Sequence, residues 1–243
     1  MNATTLKAPQ QKALRKGMGG CFKLFCGLGI LVFTAVTSAQ TAPSPSDIDS
    51  FKGLHLAAQV GNIDQIQRLV TEGAKLEDVD RFERTPLHIA AFASQEKALE
   101  ALANAGADLN ALEYQAYDIV TIAAVANDIE MLELSLALGA SAGNITSPYD
   151  GTALIAAAHL GHHEVVKTLI KYGAPLDHVN NLGWTALIEA IILGNGGPNH
   201  VETVRALVSA GANQNITDRE GTSSLEHALV LGYKEIVEIL DQS

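Results

Sequence analysis

The dipeptide Gly-Ala returns at Gly73, Gly106, Gly139, Gly173 and Gly211, at intervals of 33, 33, 34 and 38 residues. A second marker keeps the same beat, because Ala57, Ala90, Ala123, Ala157, Ala190 and Ala228 lie 33, 33, 34, 33 and 38 residues apart. Two independent markers on one period restrict the chain to a stack of about six equivalent units. Each unit is too small to bury an apolar face alone and is stabilised by its neighbours. Hydrophobic residues make up 47% of the chain but aromatics only 5%. The layers must therefore close through Ala, Leu, Ile and Val, whose small volumes let helices approach.

The most regular unit reads Thr85 Pro86 Leu87 His88 Ile89 Ala90 Ala91, followed by Gly106 Ala107 Asp108 Leu109 Asn110 Ala111. Thr85 is placed to cap a helix through its hydroxyl, and Pro86 fits the first turn, where its missing N–H has no helical partner. Leu99 and Leu102 stand at helical spacing to fill the space between layers. Gly106 follows a second helix where a left-handed residue ends it without a Cβ clash. The unit is thus helix, loop, helix, turn, and it resembles the ankyrin repeat, whose signature is TPLHxAA followed by a GADxN turn. The resemblance implies an all-α ankyrin-repeat solenoid of about six helix-loop-helix repeats joined by β-turn or hairpin tips. It covers residues 51–243, divided near 51–82, 83–115, 116–149, 150–182, 183–220 and 221–243, and the first and last units read as caps.

Two units depart from the pattern. Repeat three carries Asp118 Ile119 Val120 Thr121 in place of TPLH, which predicts a less well specified helix start. Repeat five holds five extra residues within 194–200, which predicts a protruding loop between its helices.

Ahead of the array, residues 1–39 read as a secretory signal peptide. Basic residues precede the uncharged apolar run Leu24–Val36, and Thr37 and Ala39 suit cleavage after Ala39. The run is shorter than the ~20 residues a spanning helix needs; an uncleaved anchor is the alternative. Starts at Met1 and Met18 give the same mature chain. Both cysteines, Cys21 and Cys26, fall inside the signal, so the mature chain has no thiol or disulfide, which suits a bacterial periplasm. Residues 40–50, rich in Pro, Ser and Thr, read as a flexible leader.

Five of the sixteen basic residues precede position 40, leaving eleven against twenty-seven acids and a mature charge near −16. That excess repels nucleic acid and anionic lipid. No nucleophile elbow, phosphate loop or dinucleotide fingerprint occurs, so no enzyme, cofactor or metal is expected. His159, His162, His163 and Glu164 invite a zinc reading. Gly161 lies between them at an interhelical loop, however, and Gly161 His162 matches the family's common Gly-His loop. The resemblance gives His55 and His88 the role of bracing neighbouring loops.

The resemblance also implies protein binding through the turn tips and the concave face of the first helices. Aligning the tips sets Phe82, Gln115, Tyr149, Leu182 and Glu220 in one column beside Arg81, Tyr114, Pro148, Asn181 and Arg219. Arg81, Phe82, Tyr114, Tyr149, Leu182 and Trp184 are therefore the candidate protein-binding residues. Of these, Phe82, Tyr114, Tyr149, Leu182 and Trp184 are expected to form an apolar strip rimmed by Asp80, Glu83, Glu113 and Asp150 that suits a partner with a basic surface. The expected role is a non-catalytic periplasmic module that inhibits, protects or scaffolds another exported protein, such as an immunity factor against a cell-envelope hydrolase or the support of a stress-response enzyme. The alternative is a secreted effector that binds a host protein.

Overall fold

The computed structural model describes residues 42–242. The signal peptide and the start of the leader lie outside the described residues. Among those described, helix α1 (Pro45–Ser50) precedes six helix pairs. These are α2 (Gly53–Gln59) with α3 (Ile63–Thr71), α4 (Pro86–Phe92) with α5 (Glu96–Asn104), and α6 (Ile119–Ala126) with α7 (Ile129–Ala137). Then come α8 (Ala153–Leu160) with α9 (His163–Lys171), α10 (Ala186–Ile192) with α11 (Pro198–Ser209), and α12 (Ser224–Leu231) with α13 (Lys234–Asp241). First helices stack on first helices and second on second, so the array has two helical layers with a continuous core between them. No strand forms among the described residues. Two isolated antiparallel bridges, Thr146 with Gly151 and Thr217 with Ser223, mark the tips.

The periodic alanines explain the close stacking, for Ala57, Ala90, Ala123, Ala157, Ala190 and Ala228 are all buried where successive first helices meet. Leu99 and Leu102 are fully buried between layers, as their spacing requires. The first helices of repeats two to six each start on a capping side chain, Thr85, Asp118, Thr152, Thr185 and Ser223. The Thr85 hydroxyl accepts the His88 N–H while His88 Nδ1 accepts the Thr85 N–H, a reciprocal capping box with Pro86 in the first turn. The glycines of the GA turns, Gly106 among them at φ 99°, all adopt the left-handed conformation that ends a second helix.

Three expectations change. Repeat three starts as firmly as the others: Asp118 Oδ1 accepts from the Thr121 N–H at 2.8 Å and from its hydroxyl at 2.7 Å. Asp118 Oδ2 accepts from Asn144 at 2.8 Å. Aspartate caps as well as threonine, so losing the TPLH letters keeps their function. The insertion of repeat five does not simply protrude. Its later residues lengthen the second helix, α11, to 12 residues against 9 in α9. His200 is buried, its Nε2 3.0 Å from the His159 carbonyl, and the Tyr233 hydroxyl donates to the Gly194 carbonyl at 3.0 Å.

The third change concerns the flexible leader, which from Ser44 onwards is ordered. Ser44 and Asp47 form the capping box of α1. Asp47 is buried and ion-paired to Arg81 and to Arg84, 3.4 Å away. Position 47 stands 33 residues before Asp80, so α1 falls where the period would put a first tip, and its Ile48 packs against the core.

Candidate binding surface

Each tip is a tight hairpin built on one acceptor side chain. Asp80 Oδ1 takes the N–H groups of Phe82 and Arg84 at 2.8 and 3.0 Å. Glu113 Oε1 takes those of Gln115 and Tyr117, Asn180 Oδ1 those of Leu182 and Trp184, and Asp218 Oδ1 those of Glu220 and Thr222. Ser147 does the same more weakly for Tyr149 and Gly151. The acceptor column Asp80, Glu113, Ser147, Asn180, Asp218 keeps the array's period. Satisfying two backbone donors per turn fixes each tip without a sheet.

Successive tips are laced together. Tyr114 N–H donates to the Phe82 carbonyl at 3.0 Å, Ser147 N–H to Ala116 at 2.9 Å, and Asn181 N–H to Tyr149 at 2.8 Å. The Arg219 guanidinium donates to the Asn181 carbonyl and carries the lacing to the fifth tip. The motif histidines brace the same loops from below, His55 Nε2 2.9 Å from the Arg84 carbonyl and His88 Nε2 3.0 Å from that of Ala111. Burial outweighs these acceptors and brings the His88 pKa down to about 4, so its ring works uncharged.

The candidate residues divide in two. Tyr114 is 67% exposed and Tyr149 48%, and Leu182 is exposed beside them in sequence register. Phe82 is half-buried and roofed by two guanidiniums, Arg81 at 4.7 Å and Arg84 at 4.8 Å from its ring. Arg81 is itself ion-paired to Asp47, and Trp184 is half-buried. Of the acidic rim, Glu83 and Asp150 are exposed, but Glu113 is buried as a hairpin acceptor and Asp80 is largely taken up by Arg84.

The aligned columns missed a more regular apolar row. Val79, Leu112, Ile145 and Val179, at 33, 33 and 34-residue intervals, are all exposed in consecutive tips. Together with Tyr114, Tyr149 and Leu182 they form the tip ridge, exposed apolar side chains in four successive tips whose backbones are hydrogen-bonded to one another. No Lys or Arg occurs between Lys97 and Lys167, whereas nine acids do, so the middle of the row, Leu112, Tyr114, Ile145 and Tyr149, lies in a strongly negative stretch.

The histidine cluster does not converge. His162 Nδ1 meets the Ala124 carbonyl at 3.0 Å, His163 Nε2 lies 3.3 Å from Glu164, and His159 Nδ1 lies 3.7 Å from Glu189. No group of three potential metal ligands occurs among the described residues. No described helix is long and apolar enough to cross a membrane.

Six laced helix pairs on one period are also what known proteins share with this one, since the family described as ankyrin repeats (3 copies) matches residues 13–113 and 120–218. The chain belongs to the ankyrin-repeat family. Among ankyrin-repeat relatives, the putative ankyrin repeat protein YahD of Escherichia coli strain K12 is 31% identical over 186 residues, spanning 76% of this chain and 92% of the relative. The crystal structure of an ankyrin repeat domain from Acinetobacter baumannii AYE is 41% identical. It superposes with a TM-score of 0.73 over 78% of this chain and 96% of that one. A second solved ankyrin repeat protein is 30% identical, with a TM-score of 0.72 over 79% and 99% of the two chains. An ankyrin array is a protein-interaction module and is typically non-catalytic, because stacking serves to build a long surface.

Proposed function

We propose that this ankyrin-repeat protein is exported to the periplasm, where its tip ridge docks another exported protein and inhibits, protects or scaffolds it. The observation that carries this reading is the exposed row Val79, Leu112, Ile145, Val179 with Tyr114, Tyr149 and Leu182. Aliphatic side chains exposed at the same place in four successive tips have no work inside the fold, and exposed apolar groups rimmed by charge suit a docking surface. Export is supported by the basic and apolar N-terminus ending at Ala39. The acidic surroundings favour a partner that presents an apolar patch inside a basic margin, and they speed its encounter at low salt. Immunity to a cell-envelope hydrolase and support of a stress-response enzyme both fit that chemistry.

The test is intact-mass analysis of the chain from fractionated cells, with capture by the full chain and by a Tyr114→Ser, Tyr149→Ser, Leu182→Ser variant of equal melting temperature. The reading expects a periplasmic product beginning at Gln40 and one basic protein retained by the native chain but lost from the variant. Recovery of the product only in the medium would favour the effector role. Capture unaltered by the variant would remove the ridge from the account.

A further inference from the structure

Repeat five breaks the repeat pattern twice, and the two breaks touch. Four residues after each N-cap, the first helices carry Leu56, Ile89, Ile122, Ala156, Glu189 and His227. A carboxylate thus replaces an aliphatic side chain at a position where Ile89 and Ile122 are buried. In the hairpin column the same repeat has Asn180, where the tips before Ile89 and His227 have aspartate. In repeat six a hairpin carboxylate meets a helix ring, Asp218 Oδ2 lying 2.7 Å from His227 Nε2. In repeat five the polarity is reversed: Asn180 Nδ2 donates to Glu189 Oε1 at 2.7 Å. An aspartate at 180 would press two carboxylates together, and the amide lets the acid stand.

The second oxygen of Glu189 lacks such a donor. His159 Nδ1 of α8 lies 3.7 Å from it, beyond hydrogen-bond reach, and no Lys or Arg among the described residues pairs with Glu189. Of the other titratable groups on packed elements, His227 of α12 is engaged by Asp218, and His200 of α11 by Asn195 and the His159 carbonyl. Glu189 is only 5% exposed, while the His159 side chain is 38% exposed, so solvent reaches the pair from the histidine side. Burial pushes the Glu189 pKa up to about 7, and burial with the nearby His200 draws that of His159 down. A buried carboxylate without a cation is costly to a fold. With the His159 ring proton on Nε2, the two acceptors Glu189 Oε2 and His159 Nδ1 lie 3.7 Å apart, close enough for one donor group to reach both.

We propose that Glu189 and His159 form a receiving site for one basic side chain of the protein partner, a guanidinium or ammonium group that donates to both acceptors. This rests on the protein-binding reading and adds an anchor on the first-helix side of the array, apart from the ridge.

The probe is n-propylguanidinium, titrated into the full chain at pH 8, where Glu189 is ionised, with uncharged n-propylurea as control. The readout is the fluorescence of Trp184, the only tryptophan in the sequence, whose backbone N–H is bonded to the same Asn180. The site predicts a saturable response to the cation, none to the urea, and at least a tenfold loss of affinity in Glu189→Gln. That variant keeps a carbonyl acceptor for Asn180 and so preserves the fold, which an unchanged far-UV dichroism spectrum would verify. A non-saturable response, or an equal one in Glu189→Gln, overturns the proposal. The titration uses no ridge residue. Cation binding without Tyr114- and Tyr149-dependent capture would sink the ridge and leave this site standing, whereas capture without a Glu189-dependent titration would sink this site alone.

Discussion

Arg84 and Glu189 are both ionisable side chains sunk into the stack, and they are treated in opposite ways. Arg84 is fully buried between two acids, its Nη2 2.6 Å from Asp80 Oδ2 and 3.4 Å from Asp47 Oδ2. The network ties the N-terminal cap to the first tip, so charge there holds the array shut. Glu189 has one neutral donor and no cation. Charge there weakens the array, and a fold keeps such a group only where something else is gained. A repeat protein thus contains its own control, since equivalent layers with different fillings reveal which polar group serves the stack.

The largest break in that contrast should come from Arg84→Met, which strands Asp47 and Asp80 below the surface and should cost about 3–5 kcal/mol in urea unfolding at pH 7. Glu189→Gln should do the reverse and stabilise by about 2–3 kcal/mol at pH 8. Because the folded pKa lies above the unfolded one, the native chain loses this stability as pH rises from about 4.5 through about 7, and the gain should vanish at pH 4. Equal stability of Glu189→Gln and native chain at pH 8 would mean the carboxylate is better paired than its contacts indicate.

Asp47→Ala should cost about 1–2 kcal/mol through the lost capping box and ion pairs, with faster amide exchange confined to α1 and the 80–84 tip. Burial opposes ionisation of Asp47, but Ser44, Arg84 and Arg81 outweigh it and bring its pKa down to about 2. Its contribution is therefore fully present above about pH 4 and is lost as pH falls through about 2, the opposite slope to Glu189. The smallest effect belongs to Val230→Lys on the last first helix. At 85% exposure the side chain has little packing to lose, and the change should stay within about 0.5 kcal/mol.

The period made the fold legible, because repeated Ala and Gly are demanded by close stacking and by left-handed helix ends wherever a unit recurs. Caps were harder to read. Asp118 shows that a motif is recognised by its letters while the helix needs only an oxygen at the N-cap. The leader misled for a related reason, since Ser, Pro and Asp suggest a flexible segment by composition but in the order Ser44 Pro45 Ser46 Asp47 spell a capping box. Tyr114, Tyr149 and Leu182 were readable as tip residues. Phe82 was readable as a tip residue too, but its cover was not, because Arg81 and Arg84 are held over it by Asp47, 34 and 37 residues upstream of them. The row Val79, Leu112, Ile145, Val179 carried the period openly, each residue standing just before the one whose N–H closes its hairpin, Asp80, Glu113, Thr146 and Asn180.

The claim that partners dock on the tip ridge is tested most directly by a photo-crosslinking side chain placed at Tyr114 and, separately, at exposed Glu133 on the second-helix layer. The account predicts one covalent partner, with a basic surface, from position 114 and none from position 133. Equal crosslinking at both positions, or crosslinking only at 133, would contradict it.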